Sequence, residues 1–128
     1  MPHIAIEYSA NLEEAVDMHG FCETLRIAGI ETGIFPMPGI RVRAHRCDHY
    51  AIADGASKHG FIDIAVRLRE GRPQAKKEAA TAHLFATGRA FLVSAFDRHS
   101  IALSMEMRDI DARLSPKHGT IRDHLGGG

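Results

Sequence analysis

Apolar and polar positions alternate along the first run of the chain, Pro2-His3-Ile4-Ala5-Ile6-Glu7-Tyr8. Ile4, Ile6 and Tyr8 fall on one face and His3, Ala5 and Glu7 on the other, the period of a half-covered strand. The period then lengthens. Leu12, Ala15, Val16, His19, Cys22 and Leu25 recur at helical spacing, which predicts an amphipathic helix. Asn11 reads as its N-cap, Glu14 as the capping-box partner and Gly29 as its approximate end. The prolines of Phe35-Pro36-Met37-Pro38-Gly39 forbid helix there. Ile40, Val42 and Ala44 then alternate with Arg41, Arg43 and His45, so a second strand is expected from Ile40 to about Ala53, ahead of Asp54-Gly55.

The same succession returns in the second half. Ile62, Ile64, Val66 and Leu68 alternate with Asp63, Ala65, Arg67 and Arg69, a third strand broken by Gly71-Arg72-Pro73. Pro73 suits the first turn of a helix. Leu84, Phe85, Gly88, Phe91, Leu92 and Ala95 mark one face of that helix, with Gly88 read as the point of close approach to the sheet. Ile101, Leu103, Met105 and Met107 alternate with Ala102, Ser104, Glu106 and Arg108 as a fourth strand, and a polar tail follows from Leu114. The reading is a single domain over 1–128, built from two β-α-β halves at about 2–53 and 60–109 plus a C-terminal tail. A connecting helix implies parallel strands within each half. Two helices then cover one face of a four-stranded sheet. The other face carries His3, Glu7, Arg41, Arg43, His45, Arg67 and Glu106 among small residues, a pattern suited to packing against further copies of the chain.

Composition narrows the function classes. A chain of 128 residues, 45% hydrophobic, suffices for one domain with a real core. Lys plus Arg equals Asp plus Glu at 16 each, so no overall basic field recruits nucleic acid or an anionic membrane. No apolar run approaches the roughly 20 residues that span a bilayer. Glu13 and Glu14 interrupt the place where a signal peptide would be apolar, so a cytoplasmic protein is expected. Cys22 and Cys47 lack CxxC spacing and read as reduced and structural. The nine histidines form no HExxH-type cluster, and His45 and His49 are too far apart along a strand for easy chelation. No metal site is expected from these spacings.

Three groups of residues invite chemistry. If Met1 is removed, Pro2 becomes an N-terminal secondary amine, a general base with an ordinary pKa of about 7.7–8.0. Burial or nearby cations lower it further. Against this, a small second residue favours methionine removal in any protein. Arg41 and Arg43 follow the proline-rich turn, and Arg72 stands at a helix start, where the helix dipole disfavours a cation unless an anion meets it. Each arginine either holds a substrate carboxylate or pairs with an acid in the sheet or an interface. Glu13-Glu14 and Lys76-Lys77-Glu78 read as solvated helix charges, and Met105 and Met107 as core.

Taken in order, Pro2-His3-Ile4-Ala5-Ile6-Glu7-Tyr8-Ser9, Gly33-Ile34-Phe35-Pro36, Gly39-Ile40-Arg41-Val42-Arg43, Ala53-Asp54-Gly55 and Gly71-Arg72 resemble the 5-carboxymethyl-2-hydroxymuconate isomerase family of the tautomerase superfamily. The resemblance continues through Ala102-Leu103-Ser104-Met105-Glu106 to the tail around Lys117. It implies a tautomerase-like α+β fold: a double β-α-β with a four-stranded mixed sheet and two helices on one face. It also implies a homotrimer that acts on an unsaturated carboxylate in homoprotocatechuate breakdown, a form of aromatic catabolism. By carry-over Pro2 is the catalytic base. Arg41 and Arg72 hold carboxylates and stabilise the developing dienolate, with Arg43 a weaker substrate-binding candidate. No metal or organic cofactor is implied by the resemblance. Arg46 and Pro73 depart from the family's aromatic and serine at those positions, and Arg46 adds a charge near the expected site. Two alternatives stay open: a superfamily hydratase, dehalogenase or decarboxylase in which His45 or Arg46 steers water or a leaving group, and a non-catalytic homotrimeric binding protein.

Overall fold

The computed structural model describes residues 2–126. Strands β1 (His3–Ser9), β2 (Arg41–Cys47), β3 (His59–Arg69) and β4 (Ser100–Ile110) form one sheet in the order β2-β1-β3-β4. Helix α1 (Met18–Glu31) joins β1 to β2, while α2 (Gln74–Phe91) and α3 (Val93–Arg98) join β3 to β4. Both crossovers link parallel neighbours, and the halves meet along an antiparallel β1–β3 seam. The expected double β-α-β with a mixed sheet is therefore present.

The alternation in sequence becomes the two faces of this sheet. Ile4, Ile6, Ile62, Ile64, Val66 and Leu68 turn toward the helices and are buried against Phe21, Leu25, Leu84 and Leu92. Each such side chain contributes about 1.5–3 kcal/mol relative to an exposed position. On the opposite face the register makes rows across the strands. Arg41, His3, Arg67 and Arg108 form one; Arg43, Ala5, Ala65 and Glu106 the next; His45, Glu7, Asp63 and Ser104 the third.

Several boundaries differ from the sequence reading. The first helix begins at Met18, where the Asp17 carboxylate accepts the Gly20 N–H at 3.0 Å, and runs on to Glu31. Asn11 does not cap it. Its side-chain amide donates to the His59 carbonyl at 2.7 Å, and its oxygen accepts from the Ser9 hydroxyl at 2.6 Å. Ser9, fully buried, in turn accepts the Phe61 N–H at 3.0 Å. These bonds hold residues 10–12 as a short 3₁₀ turn over the β1–β3 seam. Strand β2 stops at Cys47, opposite Ser9, because β1 offers no further partner. Strand β3 starts earlier than Ile62, since His59 and Gly60 already pair with Ser100 and Ile101. The long second helix bends at Leu92 (φ −92°, ψ 7°) into α2 and α3, giving three helices instead of two.

Gly88, the glycine read as a point of close approach, is not tightly packed, and Gly60 is among those that are. A Cβ on Gly88 would meet only ordinary contacts, 3.7 Å from the Phe21 ring and 4.0 Å from Ile64. A Cβ on Gly60 would press to 3.0 Å on Leu12 and 3.1 Å on the Ser9 hydroxyl, within the turn just described. Gly88 thus costs helix stability without serving packing. Gly88→Ala should stabilise the protein by about 1 kcal/mol, read as a raised urea midpoint at unchanged m-value. An unchanged or lowered midpoint would show that the glycine serves the packing after all.

Candidate active site

Pro2 immediately precedes β1, and its carbonyl accepts the backbone N–H of Arg41 at 3.2 Å. The parallel β1–β2 pairing thereby sets the proline beside the first residue of β2. Pro2 is buried, and with Pro36, Pro38, Arg41, Lys117 and Arg122 it lines a cavity of about 420 Å³. The rigid Pro36-Met37-Pro38-Gly39 turn makes one wall, and the tail makes the other. Met1, whose removal would free the proline nitrogen, lies outside the described residues.

A second cavity, about 590 Å³, opens over the first row of the sheet's uncovered face. His3, Arg41, Arg67, Arg69, Lys117 and His118 line it. Arg41, Lys117 and His118 border both cavities. Neither lining contains an Asp or Glu among the described residues.

The candidate arginines are therefore divided. Arg41 joins Pro2. Arg43 contacts the other side of the His3 ring, its Nη1 3.0 Å from His3 Nδ1, while Arg41 Nη1 lies 3.4 Å from Nε2. The shorter contact favours the tautomer in which Nδ1 accepts from Arg43 and Nε2 carries the hydrogen. Arg72 lines neither cavity. It sits half-buried just before α2 and donates to the Arg69 carbonyl at 3.3 Å. Arg46 is not near Pro2: it lies at the far end of β2, where its Nε is 2.9 Å from Asp48 Oδ1. Pro73 caps α2 from outside the helix, its carbonyl accepting from Lys76 and Lys77 at 3.1 Å.

Sequence reasoning missed Arg69, His118 and Arg122 as site residues, and it placed Arg67 only on the outward face. The signal for Arg67 and Arg69 was their outward parity on β3, but only the antiparallel register, His3 opposite Arg67, brings them to this corner. The Ala53-Asp54-Gly55 motif lies elsewhere. Asp54 accepts the Ala56 N–H at 3.0 Å and His59 Nε2–H at 2.8 Å, while His59 Nδ1 is 2.8 Å from the Ser100 hydroxyl. The Ala56 amide, then His59, hold the Asp54 carboxyl below its usual range. This is an anchor for the start of β3 and β4.

Partial burial, then the charges of Arg67, Arg41 and Arg43, lower the His3 pKa to about 4. His3 is thus neutral at neutral pH, and a neutral ring is what the row between two guanidinium groups tolerates. The unfolded chain protonates this residue near pH 6.5. Its contribution to stability is full above that value and is lost as pH falls toward about 4. In a proton NMR titration the His3 ring should titrate near pH 4, and His3→Asn should flatten the loss of stability between pH 6.5 and 4. Titration near 6.5 would show that the arginine row does not act on the ring.

Residues 2–125 match the sequence profile of 5-carboxymethyl-2-hydroxymuconate isomerase. The chain is 28% identical over 121 residues to the 5-carboxymethyl-2-hydroxymuconate Delta-isomerase of Escherichia coli, covering 94% of this chain and 96% of that one. A crystal structure of a 5-carboxymethyl-2-hydroxymuconate delta-isomerase superposes with a TM-score of 0.93 at 28% identity, over 100% of this chain and 95% of the other. A 5-carboxymethyl-2-hydroxymuconate isomerase from Deinococcus radiodurans R1 gives 0.88 at 27% identity, over 96% and 92%. With a match over nearly the whole length in both sequence and fold, the chain belongs to the 5-carboxymethyl-2-hydroxymuconate isomerase family of the tautomerase superfamily.

Proposed function

We propose that the chain shifts a proton along an unsaturated 2-hydroxy di- or tricarboxylate of the 5-carboxymethyl-2-hydroxymuconate type, with Pro2 as base. The observation that carries this reading is the joining of Pro2 and Arg41 in one cavity by a backbone hydrogen bond. With Met1 removed, the proline nitrogen takes the 2-hydroxyl proton of the dienol. The oxygen's electrons form the C2 carbonyl, the double bonds shift along the chain, and the same nitrogen returns the proton at the far carbon. Arg41 and Lys117 stabilise the negative charge that develops between the two transfers. The cations around the cavity also favour the unprotonated amine that the first transfer needs. Arg72, which the family resemblance makes a further carboxylate ligand, lines neither cavity and bonds the Arg69 carbonyl. No step calls for a metal or organic cofactor.

In this reading residues 1–128 act as one domain in a cytoplasmic homotrimer. The uncovered face of the sheet supports assembly. Glu7 and Asp63 stand directly opposite each other on β1 and β3, two exposed acids that destabilise the isolated sheet. The arginine row lies four residues along each strand, and Ala5 and Ala65 between them leave room for close approach. A second copy shifted along the strands can set arginines against the acids.

The test begins with intact mass, to establish loss of Met1. Ketonisation of 2-hydroxymuconate and its 5-carboxymethyl derivative is then followed by ultraviolet absorbance. The processed chain should turn over at least ~10²-fold faster than a chain carrying an uncleavable residue ahead of Pro2, the usual scale for a general base. Arg41→Ala and Arg72→Ala should each lose about tenfold or more in kcat/KM. Equal rates in the processed and extended chains would sink the proline mechanism.

A further inference from the structure

The wall of the Pro2 cavity is made of two kinds of structure. Arg41 belongs to the sheet, and Pro36, Pro38 and Gly39 to a turn stiffened by its prolines. Lys117, His118, Gly119, Ile121 and Arg122 belong to the tail. The tail bonds to the body of the fold at its root, where the Ala112 N–H donates to Glu70 Oε1 at 3.2 Å. Beyond that point, among the described residues, its hydrogen bonds are local. Leu114 N–H donates to the Asp111 carbonyl at 3.1 Å, Asp123 N–H to Thr120 at 3.0 Å and Leu125 N–H to Arg122 at 3.5 Å. The 3₁₀ turn Ile121–His124 lies against the turn Met37–Gly39, yet Ile121 stays 54% exposed. A segment with few buried apolar contacts and only local hydrogen bonds belongs to the least stable part of a fold. The tail also brings Lys117 and Arg122 to the cavity that Arg41 faces, and like charges around one space oppose its closing.

From this arrangement we infer that residues 114–125 are a strap that an anionic substrate closes over Pro2, with Arg122 as the strap's carboxylate ligand. The inference rests on the proposed binding of a carboxylate beside Pro2, and it adds what shuts the cavity. In the closed state the bound anion spans Arg41 on β2 and Arg122 on the strap. The planar fork of Arg122 can meet both oxygens of a carboxylate. In the open state the anion keeps Arg41 and loses Arg122. That difference in contacts is what allows the ligand to shift the balance toward closure. A molecule of the same length without carboxylates makes no such bridge and leaves the strap as it was. Closure also keeps water away from the proline nitrogen and strengthens the pull of Arg41 on developing charge.

The experiment uses the processed protein in its native assembly. Limited trypsin digestion is followed by intact mass, reading the cut after Lys117 alone, with adipate and with 1,6-hexanediol. Adipate, a saturated dicarboxylate that cannot tautomerise, should slow the cut by about tenfold or more, and the diol should leave it unchanged. Arg122→Ala should be cut at the wild-type rate without ligand and should lose most of the adipate protection. Calorimetry should show its adipate binding weakened about tenfold, the scale of one charge-assisted hydrogen bond. Arg122→Lys should recover part of both. Equal cutting with and without adipate, or full adipate protection in Arg122→Ala, overturns the strap. So does a tail that resists trypsin without ligand, since another copy would then be holding it. If the extended chain with a blocked proline amine turns over as fast as the processed one while adipate protection stands, the base assignment fails and the strap survives.

Discussion

Everything at the site depends on the antiparallel seam between β1 and β3. Each β-α-β half could pair its own strands without the other. The seam joins their strands, and its register sets Ile4 against Val66 and Ile6 against Ile64 on the covered side. The same pairing puts His3 against Arg67 on the open side. A slip of one residue would turn Ile62, Ile64 and Val66 out toward solvent and the arginines into the core. The apolar core thus enforces the position of the cations. Ser9 and Asn11 fix the seam's other end, tying the last residues of β1 to the first of β3 through side-chain hydrogen bonds.

Charge is sorted along this sheet rather than spread over it. One row is cationic around a ring held neutral; a parallel row carries Glu7 and Asp63. Ser104 donates to Asp63 at 2.6 Å, which satisfies one carboxylate oxygen without neutralising it. Under the proposed function the end nearest Pro2 meets an anionic substrate, and the face as a whole presents complementary bands to another copy. A balanced total charge hides both.

The order of strands and helices was legible because alternation is a local property: one buried face is enough to show period two. Pro2 and Arg41 were legible for a similar reason, since parallel pairing within a short β-α-β unit brings the starts of its two strands together. What escaped was non-local. Asn11 looks like a helix cap because its partners, the carbonyls of residues 57 and 59, are distant in sequence. Arg72 drew attention by its place before a helix. Arg67 and Arg69, on an ordinary amphipathic strand, matter only once an antiparallel neighbour is known. Arg46 looked close to the site by its place in a motif, yet it belongs to the opposite end of β2. Lys117 and Arg122 come from a polar stretch with no periodicity to place it.

The wall around Pro2 joins parts of the chain that lie far apart in sequence, the turn at Pro36 and Pro38 and the segment that carries Lys117 and Arg122. That later segment belongs to no strand. Its local opening would uncover Pro2 while leaving every strand pair of the sheet intact.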